Sequence, residues 1–297
     1  MKKISKFLAV ILVILSVFGC VIPLSASAAS NGKTITVNID NAFCSATIAK
    51  AGDKFTLTLT TSSWVKSTSW SSSNKNIAKI EKQNNKLSAD IKAVAHGEAK
   101  INITINYYLK KSETISYKVV VYEEKIINIK PIEQKKNYDC AGAAAYSCLR
   151  GLGTKFSGND LTLYNSLGTI NIGNIAKKIK SLSGKNYYAD AFYSLSKFEN
   201  ACITSLNKGC PVVIRITLKS ASTPFKYTTH GHFVTISGYT INAKGEIQFT
   251  ITDSWKISTN GGTFKVLSSN LYTYARTASK DGKFVTNGCG CWIAAVK

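Results

Sequence analysis

The chain has 297 residues, a formal net charge of +22 and a hydrophobic fraction of 44%, enough for one large domain or two of ordinary size. Only Arg150, Arg215 and Arg276 are arginine among its 38 basic residues. That balance argues against a specific nucleic-acid reader, which needs the planar guanidinium fork, and predicts a solvated, lysine-coated surface.

The first element is a sorting signal over residues 1–29. Lys2, Lys3 and Lys6 precede an apolar run from Phe7 to Phe18, and Ala26-Ser27-Ala28 offers a cleavage site, the layout of a secretory signal peptide. The run is short for a membrane span, and Pro23 interrupts the stretch beyond it. Lipidation at Cys20 is the alternative, but Val17-Phe18-Gly19 places a bulky residue where a small one is usual. Simple secretion from a bacterium is therefore expected, to the medium or the cell surface, with no membrane span in the mature chain. Its positive charge would attract an anionic cell wall loosely, in a salt-sensitive way.

From Thr34 to Tyr122 the pattern is all-β. Alternating runs such as Thr34–Ile39, Lys54–Thr60 and Lys100–Tyr107 are separated by Gly, Asn and Ser, which predicts five to seven strands in a small β-sandwich over residues 30–122. WSSSNKNIAKI (Trp70 to Ile80) and HGEAKINITI (His96 to Ile105) resemble the group 2 bacterial immunoglobulin-like domain. Trp64 and Trp70 are read as core or rim packing, and His96 as an exposed loop residue. Residues 123–131 read as a linker carrying Pro131.

Beyond it, helical patterns precede strands, which predicts an α+β domain over residues 132–297. Helices are expected at Cys140–Leu149, at Ile175–Leu182 behind Asn174, and at Leu195–Leu206 behind Ser194. Strands are expected in PVVIRITL from Pro211, at His232–Thr240, at Ile247–Thr252 and at Cys291–Val296. Asn242 to Gly245 signals a hairpin turn.

Eight cysteines include Cys20, so seven remain after export and at least one thiol is unpaired or bonded between chains,. Catalysis gives Cys140 a reason to be free. Cys44, Cys148, Cys202, Cys210, Cys289 and Cys291 are expected as buried thiols, with disulfides as the alternative. Cys289 and Cys291 are too close to bridge without strain and lack a second ligand pair for zinc.

Thiol catalysis needs an activated sulfur, a base, a group orienting that base, and oxyanion donors. Cys140 stands at a predicted helix start, where the dipole favours thiolate. Gln134 lies six residues upstream on an extended approach. His232 opens HFVTISGY, and Asp253 ends the next predicted strand in TITDSW. His230 competes for the role of base but does not directly precede the apolar run. Tyr239 and Cys148 read as core.

QKKNYDCAGAAAYSCL, HFVTISGY and TDSW together resemble the papain superfamily of cysteine peptidases. Within it they are most similar to the peptidase family related to bacteriocin-processing (double-glycine leader) enzymes. The resemblance implies that Gln134 and the Cys140 N–H form an oxyanion hole, Cys140 attacks, His232 shuttles the proton, Asp253 orients it and Trp255 shields that contact. It implies a peptide or protein substrate and no metal or organic cofactor. Cys140-Ala141-Gly142 departs from the Cys-Gly-Pro of many members and is closer to staphopain-like enzymes. The alternatives are a non-catalytic cell-surface adhesion or binding protein, and a papain-like amidase or transferase acting on peptidoglycan. An inhibitory propeptide at Asn31–Tyr122 is disfavoured because that segment reads as a folded sandwich.

Overall fold

A computed structural model describes residues 27–28, 31–40, 46–218, 224–225, 227, 229–256, 262–276 and 291–297, except for the side chains of residues 27, 28, 218, 229 and 230. The expected signal segment up to residue 26, with Cys20, lies outside these residues, as do Cys44 and Cys289. The chain divides into two compact units, residues 1–124 with 241–246, and residues 125–240 with 247–297.

The strands of the first unit are β1 (Ser27–Ala28), β2 (Lys33–Asn38), β3 (Ala46–Lys50), β4 (Lys54–Thr60), β5 (Val65–Ser72), β6 (Ala78–Asn85), β7 (Ser88–Ala93), β8 (Gly97–Tyr107) and β9 (Glu113–Ile126). They form two sheets, β2-β4-β7-β6 and β1-β3-β9-β8-β5. β8 shows why they face each other. Ala99, Ile101, Ile103 and Ile105 are buried while Glu98 and Lys100 are exposed, the period-two pattern of a sheet wet on one side. Phe55, Leu57 and Ile91 from one sheet join Ile101, Ile103 and Val119 from the other in a single core.

Three details differ from the sequence reading. Trp70 packs against this core, but Trp64 is 75% exposed. It sits just before β5, where its carbonyl takes the Tyr108 N–H at the end of the ladder, beyond the covered rungs. His96 is half-buried, and its Nδ1 lies 3.0 Å from Glu123 Oε1. β9 runs on to Ile126, four residues into the stretch expected as a linker.

The second unit contains α1 (Cys140–Gly151), α2 (Asp160–Asn165), α3 (Ile172–Ser183), β10 (Tyr187–Phe192), α4 (Leu195–Asn207), β11 (Val212–Leu218), β12 (Thr229–Ile241), β13 (Ile247–Asp253), β14 (Gly262–Leu267), α5 (Ser268–Arg276) and β15 (Cys291–Val296). The sheet order is β14-β13-β12-β11-β15-β10. α1 is buried along nearly its whole length, because its run of Ala and Gly lets backbone approach backbone. A Cβ on Gly142 would lie 2.2 Å from the Asp160 carbonyl of α2. On its other side α1 packs against Val213, Phe233 and Ala294, and Thr235 Oγ1 donates to the Ala144 carbonyl at 3.0 Å.

α3 starts three residues earlier than the sequence suggests. Its cap is Asn171, whose Oδ1 accepts the Asn174 N–H at 2.9 Å, so Asn174 is the capped residue. Ser194 caps α4 as expected. Phe198 of α4 packs on Phe249 and on Tyr272 of α5. No helix of the described residues is long and apolar enough to cross a membrane.

Candidate active site

Three chain segments converge at the start of α1. The helix supplies Cys140 as its first residue, where the first-turn N–H groups have no intrahelical partner. β12 supplies His232, which stands three residues inside the strand rather than at its beginning, because pairing with β11 starts at Thr229. β13 supplies Asp253 as its last residue. The turn that returns β13 towards β12 is closed by Gly245 N–H donating to the Asn242 carbonyl at 2.9 Å.

His232 and Asp253 are both buried, and His232 Nε2 lies 2.8 Å from Asp253 Oδ1. With Nε2 committed to the carboxylate, Nδ1 is the ring nitrogen left to face Cys140, and each group favours the charged form of the other. The backbone N–H groups of Phe233 and Ala141 also favour the thiolate. Burial pushes the Cys140 thiol up, but the hydrogen bond and positive charge of His232 outweigh it and hold the thiol below its ordinary value,. Burial pulls His232 down, and Asp253 and Cys140 together lift it well above the usual imidazole range. Sulfur and imidazole thus favour the thiolate–imidazolium form. The contrast within the chain is sharp: burial raises the thiols of Cys148, Cys202, Cys210 and Cys291. All five described cysteines are free.

The carboxylate is held from three sides. Asp253 Oδ1 also accepts the Trp255 N–H at 2.9 Å, and Oδ2 accepts the Tyr227 hydroxyl at 2.5 Å. The Tyr227 and Trp255 rings flank the imidazole edge-on, with centroids 5.5 and 6.2 Å from it. Trp255 therefore stands where the sequence reading placed a shield. Tyr227 is the residue that reading missed; it lies outside any periodic run, and only its aromatic character in front of a strand hinted at a role. The side chain of His230, the rival base, lies outside the described residues.

Gln134 is bound to Ser254, the residue after Asp253. Its backbone N–H donates to the Ser254 carbonyl at 3.0 Å, and its Oε1 accepts the Ser254 hydroxyl at 3.0 Å. Its Nε2 donates to the Lys136 carbonyl at 2.7 Å, so the carboxamide is held between Ser254 and Lys136. Asp139 fixes the same loop from below. It sits at the N-cap of α1 but makes no side-chain cap. Its Oδ2 instead accepts the N–H groups of Lys135 and Lys136 at 3.2 and 3.1 Å. Asp160 Oδ2 shares the Lys135 N–H at 3.1 Å. Tyr239 and Cys148 are core residues, as expected.

A thiol at a helix start, an imidazole on an adjoining sheet and a buried carboxylate behind it define the papain-like class of cysteine peptidase. The chain belongs to the Peptidase_C39 like family, which matches residues 126–279. Among solved structures it is similar to a C39-like peptidase from Bacillus anthracis, with 16% identity over 59% of this chain and 98% of that one and a TM-score of 0.40. It is also similar to a double glycine motif protease from an AMS/PCAT transporter in complex with the leader peptide, with 17% identity over 58% of this chain and 95% of that one and a TM-score of 0.33. The cysteine protease inhibitor EhICP2 from Entamoeba histolytica matches at 10% identity over 31% of this chain and 99% of that one, with a TM-score of 0.24. No curated protein matches the chain.

Proposed function

We propose that the protein is a secreted bacterial cysteine peptidase in which Cys140 is the nucleophile and His232 the general base. The observation that carries this reading is that Cys140, the first residue of α1, meets a buried His232 whose Nε2 is held at 2.8 Å by the buried Asp253. In keeping with it, Cys140 alone among the described cysteines has its thiol drawn below the ordinary range. A structural thiol has no need of an imidazole backed by a buried carboxylate.

The Cys140 thiolate attacks the carbonyl carbon of a peptide bond, forming a C–S bond and moving the π electrons onto oxygen. The Cys140 N–H and Gln134 Nε2 are the oxyanion donors; one Gln134 amide hydrogen is engaged by Lys136, and the second serves the oxyanion. Collapse breaks the C–N bond, and the leaving amine takes its proton from His232. Water, deprotonated by His232, then cleaves the thioester and restores the sulfur. Asp253 keeps the imidazole in the orientation that presents Nδ1 to sulfur, and Trp255 and Tyr227 keep water away from that contact. The substrate is a peptide or protein outside the cell. The first unit acts as an immunoglobulin-like spacer or weak adhesion module, and its two facing sheets with one shared core support that role.

Labelling with a thiol-directed epoxide followed by peptide mapping tests the reading. Rapid modification confined to Cys140 and lost in His232→Ala is expected. Slow, even labelling of all thiols would instead point to a domain that only binds.

A further inference from the structure

Beside the strand that carries His232 stands a cation that the peptidase steps do not use. Arg215 lies on β11 opposite Phe233 of β12. Strand alternation puts it on the same face as Val213, which packs with Phe233 under α1. Arg215 thereby sits against Gly231 and Phe233, the two residues that flank His232. Its guanidinium lies flat on Gly231, the residue before His232: a Cβ there would come within 2.2 Å of Nη2 and 2.9 Å of Cζ. The Phe233 ring centroid is 6.0 Å from Cζ, close enough for a cation–π contact. The guanidinium thus occupies the space that a side chain at position 231 would take.

The group is half-buried, so it is fixed yet partly open to solvent; burial disfavours its charge and a Cys140 anion favours it. Only three of 38 basic residues are arginine, and one of them sits against the residues on either side of His232. A planar fork at such a place matches a carboxylate in two-pronged fashion, which an ammonium does not. We infer that Arg215 selects an aspartate or glutamate at one of the two substrate residues flanking the scissile bond.

This inference rests on the peptidase reading, and its test separates the two. Synthetic peptides varied between Glu, Gln and Lys at each residue flanking the cut are digested by the full chain and by its variants. The wild type should favour Glu over Gln by roughly tenfold or more. Arg215→Gln should erase that preference while leaving Gln peptides nearly unaffected. Arg215→Glu should favour Lys, and Arg215→Lys should give an intermediate preference. A uniform fall for all peptides in Arg215→Gln would mean that the cation serves the sulfur, and an unchanged preference would mean that it faces no substrate; either overturns the inference. Capture of the same mixture on Cys140→Ala protein reads selectivity without turnover. Acid-selective, Arg215-dependent capture beside a wild type that cuts nothing removes only the peptidase reading, whereas unselective capture overturns the inference itself.

Discussion

At the scale of single residues, the site is governed by two opposing effects on one sulfur. Burial favours the neutral thiol, while an imidazolium in contact favours the anion, and the second prevails. The direction of both shifts fixes a pH dependence. Cys140 is an acid held low, so the ion pair assembles as pH rises through a value below the ordinary thiol range of about 8.5. His232 is a base held high, so the pair dissolves only when pH passes a value above the ordinary imidazole range of about 6.5. Alkylation of Cys140 by iodoacetamide should therefore already be fast near neutrality. In His232→Ala the inflection should move to about 8.5 or above, since burial then acts unopposed; an unmoved inflection would show that the imidazole does not control the sulfur. The meeting of His232 with Asp253 was legible in the sequence because a hairpin turn separates the two strands that carry them. Cys140 and Gln134 were singled out by the helix start and their spacing, whereas Trp255 entered through the resemblance to papain-like peptidases. Tyr227 and Arg215 were not legible. One precedes a strand without any pattern, and the other sits in an apolar strand where alternation says which face it takes but not what lies there.

Among elements, the decisive one is α1. Its alanines carry no long side chains, so its stability comes from close packing rather than from large buried groups. Gly142 is the tightest point, with the Asp160 carbonyl where a Cβ would stand. Backbone cannot yield as a flexible side chain can. Gly142→Ala should cost on the order of 1–3 kcal/mol from overpacking, despite the better helix propensity of alanine, and urea unfolding would show it as a lower midpoint. A midpoint equal to or above the wild type would mean that α2 moves aside freely. The helices with clear caps and glycine stops were readable, as Ser194 shows. α2, β10, β14 and α5 were not, because they are short or their apolar residues fit either period. His232 was placed at the start of its strand because the apolar run begins there, but pairing with β11 extends the strand back to Thr229.

On the scale of the whole molecule, the surface is dominated by lysine, with 38 basic against 16 acidic residues. Lysine is a compact, strongly hydrated charge, suited to diffuse attraction rather than to a fixed fork. Binding to an anionic wall polymer should accordingly be strong at low ionic strength and fall steeply as the Debye length shrinks from about 30 Å at 0.01 M to about 8 Å at 0.15 M. Co-sedimentation across that salt range checks this. Retention that ignores salt would require a specific pocket instead.

The pairing of His232 with Asp253 spans 21 residues and one turn, whereas α1 docks on β12 across 91 residues at Ala144 and Thr235. Closing the larger loop carries the greater entropic cost and comes with the full topology. Before that closure the cysteine has no imidazole to ionise it and behaves as any thiol would. On the proposed reading, nucleophilic power therefore arises only once the larger loop has closed,.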